Sequence, residues 1–240
     1  MSELPPSFPP KEPPPVRHAK PEKKGGWLRE TVMVVIVATA LSVVIKTFFA
    51  QAFYIPSASM ESTLDVGDRI MVNKLADSED SLERGNIVVF VDPGGWLSEV
   101  PTDPGPVMSV VTDVLSFIGI LPSNAGEHVI KRIIGLPGDT VSCCGEDGRI
   151  EVNGVPITEP YLKPGVEPSE EAFEAVVPAG HLWVMGDNRS NSRDSRAHIG
   201  EPGGGFVPIS SVEGRASIIT WPLSSIGWLG GGDAAFVDVP

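Results

Sequence analysis

The sequence predicts a mainly β fold, in which an antiparallel β-sheet core carries a smaller inserted β subdomain and follows one N-terminal transmembrane helix. The chain has 24 prolines and 26 glycines in 240 residues, which interrupts it too often for long soluble helices. Short runs rich in β-branched residues recur after residue 50 and are bounded by turn residues, as strands are. One long uncharged stretch near the N-terminus has the length of a membrane span.

The predicted membrane helix lies within residues 27–50. Residues 31–45 are uncharged. A bilayer span needs roughly 20 residues, so the helix would continue to about Phe49, with the Lys46 side chain extended toward the lipid headgroups. A cleaved signal peptide is disfavoured because the run is long and starts late, whereas a buried core helix stays an alternative. Five basic residues between positions 17 and 29 predict a cytoplasmic N-terminus and an extracytoplasmic body.

Composition divides the rest of the chain. Residues 1–26 hold 8 of the 24 prolines and are predicted to be a disordered cytoplasmic tail. The β core is assigned to residues 51–141 and 181–221, with an insertion at 92–126 that contains an apolar run at 107–121. Residues 142–180 are assigned to an inserted β-hairpin subdomain, in which Asn153-Gly154 predicts the turn, and residues 222–240 to a C-terminal tail. Strands are predicted at 69–73, 86–91, 128–134, 149–152, 182–185 and 216–221.

Charge and cysteine content exclude several functions. The net charge is −13, and after residue 30 the chain has 12 Lys and Arg against 27 Asp and Glu. Nucleic-acid binding needs clustered basic residues and is therefore not expected. The only cysteines, Cys143 and Cys144, are adjacent, so they are either two ordinary thiols or a weak vicinal disulfide. They belong to no metal motif, and neither a metal nor another cofactor is expected.

A serine-rich turn follows the predicted membrane helix, in Ile55-Pro-Ser-Ala-Ser-Met-Glu-Ser-Thr-Leu64. A serine hydroxyl becomes a strong nucleophile when a neighbouring base takes its proton. Strand alternation places Lys131 on one face with the apolar Val129 and Ile133. Burial there disfavours the ammonium form, and a pKa lowered by about 2 would provide a neutral amine near pH 8. An exposed lysine on an edge strand is the alternative.

A third segment, Met185-Gly-Asp-Asn-Arg-Ser-Asn-Ser-Arg-Asp-Ser-Arg196, is either an ordinary polar turn or a loop that orients other side chains. The three segments together resemble the conserved boxes of bacterial type I signal peptidases, membrane-bound serine–lysine endopeptidases that remove signal peptides from exported precursors. Two further boxes, Gly67-Asp-Arg-Ile-Met-Val-Asn-Lys74 and Arg84-Gly-Asn-Ile-Val-Val-Phe90, extend the resemblance over residues 30–221. The chain departs from the family pattern at Ser190 and Asn86, where the family often has acidic residues.

The resemblance implies a role for each site residue. Ser59 corresponds to the acyl-forming nucleophile and Lys131 to the general base, while the Ser57 hydroxyl and the Ser59 N–H correspond to the oxyanion hole. Ser192 matches the hydroxyl that orients the lysine. Met60 is expected to line the substrate groove. The other supporting positions are Arg132, Asp187, Asn188, Asp194 and Arg196. Of these, Asp187, Asp194 and Arg196 are expected to stabilise the loop through ion pairs.

The resemblance also implies the reaction and its setting. The expected substrates are signal-peptide-bearing precursors, cut after small-x-small (Ala-x-Ala-like) sites through an acyl-enzyme. The expected partners are these precursors and membrane lipid, and the chain is expected to be a single-pass monomer in the cytoplasmic membrane.

Four other interpretations are weighed against this resemblance. A Ser–His–Asp hydrolase would use His198, four residues after Asp194, or His181, but the chain has no Gly-x-Ser-x-Gly elbow. A penicillin-binding hydrolase needs Ser-x-x-Lys, Ser-Asp-Asn and Lys-Thr-Gly, which are absent, and self-cleaving repressor-type proteases share the serine–lysine chemistry but lack an anchor. The non-enzymatic alternative is an inactive membrane-tethered scaffold.

Overall fold

The computed structural model describes residues 26–97, 128–145 and 147–240. The tail predicted at 1–26 falls almost wholly outside the described residues, as does the apolar run predicted at 107–121. The described residues form one long helix and antiparallel β-strands, which confirms the predicted fold class. The elements are α1 (Gly26–Phe48), β1 (Ala50–Tyr54), β2 (Arg69–Asn73), β3 (Ile87–Val91), β4 (His128–Gly135), β5 (Thr140–Cys143), β6 (Glu151–Val152), β7 (Val155–Pro156), β8 (Phe173–Val176), β9 (His181–Met185), β10 (Val207–Pro208), β11 (Val212–Trp221) and β12 (Gly227–Trp228).

Helix α1 has the dimensions of a membrane span. Its 23 residues extend for about 34 Å at the α-helical rise, which exceeds the roughly 30 Å of a bilayer's hydrocarbon core. The stretch Trp27–Ile45 has a mean hydropathy of 2.1, and none of it is buried within the structure. That exposure disfavours the alternative of a buried core helix and makes α1 a candidate membrane span.

The main sheet arranges its strands in the order β1-β2-β11-β3-β4-β9-β10, with β12 paired to β11. The strands of its centre are buried on both faces, as the unbroken apolar run in β3 indicates. Alternate residues of β4 enter different apolar clusters, since Val129 and Ile133 pack in one and Ile130 in another. Strand β11 begins four residues earlier than predicted, because a register shift between Val212 and Gly214 interrupts the alternation of its first residues.

A smaller four-stranded sheet, in the order β7-β6-β5-β8, covers most of the segment predicted as the inserted subdomain but begins two residues before it, at Thr140. The predicted hairpin is confirmed: β6 and β7 pair directly, and Asn153 and Gly154 have φ angles of 55° and 77°. Two positive φ values are what a type I′ turn requires. At the end of β5, Cys143 and Cys144 form a vicinal disulfide, which closes a ring too small to constrain the rest of the chain.

The C-terminal segment 222–240 is folded against the body rather than trailing from it. Strand β12 pairs with β11, and Phe236 and Val239 are buried in the cluster that also contains Trp183. The three-residue spacing of these two apolar side chains was the available sequence signal, but it is too short to predict an element.

Candidate active site

Ser59 and Lys131 contact each other in the lining of a surface groove. Ser59 lies in the one-turn 3-10 helix Ala58–Met60, and Lys131 is the fourth residue of β4. The Lys131 Nζ is 2.7 Å from the Ser59 Oγ and 3.0 Å from the Ile130 carbonyl oxygen. Both side chains are buried, with exposures of 7% for Ser59 and 4% for Lys131. A hydroxyl and an amine so placed can exchange a proton directly.

Burial controls the basicity of Lys131. Desolvation lowers the pKa of its ammonium from 10.5 to about 8, although the negative charges of Asp194 and Asp187 favour the protonated form and oppose this shift. Strand alternation places Val129 and Ile133 on the same face of the sheet as Lys131, and both are buried in one apolar cluster. A substantial fraction of this amine is therefore neutral at a mildly basic pH.

The groove brings the other predicted hydroxyls near the pair. It has a volume of about 570 Å³, and Ser57, Ser59, Lys131 and Ser192 all line it. The Ser57 Oγ is 3.4 Å from the Ser59 Oγ. The Ser192 Oγ is buried and makes no hydrogen bond of normal geometry with the described residues, although it lies close enough to Asp194 to contribute to lowering the pKa of that carboxyl.

The polar loop after β9 holds the serine turn in place. The Asn188 backbone N–H donates to the Ser59 carbonyl oxygen over 3.1 Å, and the Asn188 side-chain amide donates to the Ala58 carbonyl oxygen over 3.0 Å. Gly186 makes the close approach possible, because a Cβ at this position would overlap the Ser192 Oγ and the Ser59 carbonyl oxygen. The loop thus fixes the backbone that carries the Ser59 hydroxyl.

We expect Gly186→Ala to lower both activity and stability. The added methyl group must displace Ser192 or the Ser59 backbone, and such overpacking typically costs about 1–3 kcal/mol of unfolding free energy. A displacement of about 1 Å at a reacting group can reduce turnover about 10²-fold. Gly200→Ala is the matched control, since a Cβ there meets no atom within 4 Å. Equal kcat values and unfolding midpoints for the two variants would contradict this prediction.

Arg132 and Asp187 form a buried ion pair close to Ser59 and Lys131. The Arg132 guanidinium donates to both carboxylate oxygens of Asp187, over 2.8 and 2.6 Å, and the two side chains are 2% and 0% exposed. It also donates to the Gly85 carbonyl oxygen over 2.7 Å and lies 3.9 Å from the centre of the Tyr161 ring. The pair joins β4 to the polar loop: Arg132 directly follows Lys131 in β4, and Asp187 directly precedes Asn188 in the loop.

A second ion pair stabilises the far end of the loop. Asp194 accepts hydrogen bonds from Arg196 Nε and Nη2 at 2.9 Å and from the Gly186 N–H at 2.9 Å. Burial alone would raise the pKa of the Asp194 carboxyl, but these bonds and the charge of Arg196 outweigh it and hold that pKa below its usual range. Asp194 therefore remains charged near Lys131.

Sequence reasoning missed a third buried ion pair, between Arg189 and Glu159. Both side chains are almost fully buried, and the Arg189 Nη1 donates to Glu159 at 3.0 Å and to the Pro168 carbonyl oxygen at 3.0 Å. Burial opposes the charge of Arg189, but Glu159 outweighs it and raises the pKa of the guanidinium. Arg189 lies in the polar loop, so its position was visible, whereas its partner 30 residues away was not.

Met60 lies elsewhere than expected. It is fully buried in the core cluster with Ile55 and Leu64, and it is not among the residues that line the groove. The 3-10 turn explains the difference, since its successive side chains point in different directions: Ser59 faces the groove while Met60 enters the core.

The structure does not bring His198 to the serine. Its Nδ1 donates to Glu201 Oε2 over 2.6 Å, and its ring stacks on Trp96. The partner of the Ser59 Oγ is instead Lys131, which disfavours the triad alternative. In the described part of the chain, no group of three or more His, Cys, Asp or Glu side chains is arranged to hold a metal ion.

An antiparallel β fold with a buried serine–lysine pair in a groove is the framework of a hydrolase with a serine nucleophile. Residues 28–221 match the family described as "Signal peptidase, peptidase S26". The chain therefore belongs to the signal peptidase family, peptidase S26, and the predicted resemblance to bacterial type I signal peptidases is confirmed.

Individual relatives match over most of their length. Signal peptidase I of Mycobacterium tuberculosis is 40% identical over 225 residues, covering 85% of this chain and 76% of the relative. The probable signal peptidase I of Mycobacterium leprae is 37% identical and covers 87% and 81%, respectively. Signal peptidase I of Leptolyngbya laminosa is 34% identical, and the match covers 92% of this chain and 93% of the relative.

Proposed function

We propose that this protein is a membrane-bound serine endopeptidase that removes N-terminal signal peptides from exported precursors through an acyl-enzyme formed on Ser59. One observation carries the proposal: the Ser59 Oγ lies 2.7 Å from the Nζ of a buried lysine whose pKa is lowered to about 8. Family membership supports the peptidase class, and the geometry supports the choice of nucleophile and base.

Acylation begins with the neutral amine of Lys131. The amine takes the Ser59 proton as the Oγ attacks the scissile carbonyl carbon, which gives a tetrahedral oxyanion and a Lys131 ammonium. The ammonium then gives its proton to the leaving nitrogen as the C–N bond breaks, which regenerates the neutral amine and leaves an ester on Ser59. In the second half, Lys131 takes a proton from water and the hydroxide adds to the ester. The proton returns to the Ser59 Oγ as the cleaved signal peptide departs with its new carboxyl group.

The oxyanion needs donors at the place where its charge develops. We assign this role to the Ser59 backbone N–H and to the Ser57 hydroxyl, whose Oγ is 3.4 Å from the nucleophile and lines the same groove. An oxyanion donor typically contributes about 3 kcal/mol to transition-state stabilisation. We assign to Ser192 the orientation of the Lys131 amine, since its buried hydroxyl lines the groove without a hydrogen bond of normal geometry to the described residues.

The groove suits an extended peptide. Strand β4 pairs with β3 along His128–Arg132, whereas its register with β9 starts at Arg132. The β9 register thus does not reach residues 129–131, and these three residues line the groove, where an extended peptide could lie beside them. Main-chain pairing with these residues supplies affinity, and side-chain pockets beside them supply the preference for small residues at the first and third positions before the cut.

The anchor places the reaction at the membrane. We propose that α1 crosses the cytoplasmic membrane once, with its N-terminus in the cytoplasm, and that the protein acts as a monomer on the outer surface. A signal peptide has its own apolar segment in the bilayer, so anchoring the enzyme in the same membrane raises the effective concentration of the cleavage site.

Cleavage of a purified precursor by the full chain in detergent micelles tests the proposal. We expect Ser59→Ala to lower kcat/KM at least about 10³-fold, because the acyl-enzyme cannot form. Ser224→Ala is the control, an exposed serine that does not line the groove, and should retain activity within about threefold. If the wild-type chain is folded but cuts no precursor, the result favours the inactive scaffold. If the Ser59→Ala variant is fully active, the nucleophile is another residue.

A further inference from the structure

The groove has an aromatic wall that the proposed reaction does not use. Trp96 and Leu97 line the groove together with the serine–lysine pair, although they lie outside the sequence boxes that carry the family resemblance. We propose that Trp96 is a specificity-determining residue, which limits the size of the substrate side chains that face the Lys131 side of the sheet, and that His198 positions it. This inference rests on the proposed function.

The backbone around Trp96 is held by a single carboxylate. Asp92 accepts hydrogen bonds from the backbone N–H groups of Gly94, Trp96 and Leu97, over 2.9, 3.1 and 3.0 Å. Three bonds to one side chain fix the turn that leads from β3 into the groove wall. These hydrogen bonds therefore fix the backbone position of Trp96.

The indole ring is fixed by two aromatic neighbours. Phe90 meets it edge-on, with ring centres 5.6 Å apart, and His198 stacks on it at 4.5 Å with an angle of 6° between the planes. Only 7% of Trp96 is exposed, and the side chain contributes to the groove lining. A ring packed in this way presents a rigid boundary to a substrate, because it cannot rotate aside without breaking both contacts.

His198 is arranged to support the indole rather than to react. It is 1% exposed, its Nδ1–H is directed to Glu201 by the 2.6 Å bond, and its Nε2 has no hydrogen-bond partner among the described residues. The bond to Glu201 fixes the plane of the imidazole, and the plane of the imidazole fixes that of Trp96. His198 is thus a positioning residue that acts through the tryptophan.

The sheet register locates the wall relative to the reacting groups. Val88 pairs with Lys131, and Phe90 pairs with Val129. Trp96 packs against Phe90 in the apolar cluster that contains Val129. The wall therefore lies two strand residues from Lys131, about 7 Å along the sheet, on the face that the lysine occupies.

This location predicts which substrate positions the wall affects. Neighbouring side chains of an extended peptide point to opposite faces, so Trp96 meets every second substrate residue and not those between. At about 7 Å along the sheet from Lys131, it reaches one such residue. An apolar boundary discriminates by about 10-fold or more for each methylene that does not fit. Removing the indole should consequently relax the size limit at a single position.

A positional scan tests the inference. Precursors carry Ala, Leu or Phe, one position at a time, at the five residues before the cut and the two after it, and kcat/KM is measured with wild type and Trp96→Ala. We expect the kcat/KM ratio of Phe to Ala substrates to rise at least about tenfold at one position and to stay within about twofold at the positions adjacent to it. Each ratio compares two substrates of one enzyme sample, so it does not depend on the folded fraction. If Trp96→Ala does not fold, Trp96→Leu serves in its place.

Two further variants separate positioning from general damage. Trp96→Phe keeps an aromatic wall and should retain the wild-type profile, whereas His198→Ala should relax the same position as Trp96→Ala, by a smaller factor. An unchanged profile in Trp96→Ala, or an equal loss for every substrate, would overturn the inference while leaving the proposed function intact. A wild-type enzyme that cuts none of the precursors would overturn both.

Discussion

Substitution of Lys131 by methionine is expected to abolish cleavage without destabilising the fold. Removal of the proposed general base should lower kcat/KM at least about 10³-fold, because the Ser59 hydroxyl then has no group to take its proton. Methionine has a similar length and no charge, so it fills the space between Val129 and Ile133 with little strain. Cleavage assays and denaturant unfolding of the same preparation measure the two effects.

The pKa of Lys131 gives the sign of the stability effect. The amine has a pKa of about 8 in the folded protein against an ordinary value of 10.5 for a solvated lysine, so the unfolded chain binds the proton more tightly. Below pH 8 the folded protein therefore carries a buried ammonium at a cost of about 3 kcal/mol. This cost falls as the pH rises from 8 to 10.5, and the wild-type protein should gain stability over that interval.

The methionine variant lacks this titration. At pH 7 it should be more stable than wild type, by up to about 3 kcal/mol, and the difference should shrink by about pH 10. Lys163→Met is the matched control, since this lysine is exposed and its ion pair with the partly exposed Glu61 is open to solvent, and it should change neither cleavage nor unfolding appreciably. A Lys131→Met protein that is less stable than wild type at pH 7 would show that the lysine is not desolvated.

Substitution of Arg132 by methionine is expected to destabilise the protein strongly. It would leave the Asp187 carboxylate buried without its partner, and breaking a buried ion pair in this way costs about 3–5 kcal/mol. For a body of this size, the thermal midpoint should fall by on the order of 10 °C. Calorimetry of the full chain in detergent measures it.

Two comparisons identify the unpaired charge as the cause. The double variant Arg132→Met/Asp187→Leu removes both charges and should recover part of the loss. Arg149→Met breaks an exposed ion pair with Asp147 and should cost at most about 1 kcal/mol. An Arg132→Met variant no less stable than Arg149→Met would contradict the structural role of the buried pair.

Short-range sequence patterns correctly predicted the face of β4 that carries Lys131, the β-hairpin turn and the lowered pKa of the lysine. The face of β4 that carries Lys131 followed from alternation, because the apolar residues on each side of the lysine had to lie in one cluster. The hairpin at Asn153-Gly154 followed from backbone preference, since these residues tolerate the positive φ values that the turn needs. The lowered pKa of the lysine followed from the same burial argument.

Features that depend on contacts between distant residues could not be predicted. The Arg189–Glu159 pair joins the polar loop to a residue 30 positions earlier, and the Trp96–His198 stack joins residues about a hundred positions apart. No local period relates such partners. Met60 was misplaced for a different reason, since a single 3-10 turn has too few residues to reveal which side chain faces inward.

The pH dependence of kcat/KM tests the central claim most directly, which is that neutral Lys131 activates Ser59. It should be measured from about pH 6 to pH 10.5 with a precursor that has no titrating group near the cut, since kcat/KM reports the ionisation of the free enzyme. We predict a rise in activity with a midpoint near pH 8, the pKa to which burial lowers Lys131. A midpoint near about 6.5, as for an ordinary histidine, or above about 10, as for an exposed lysine, would contradict it.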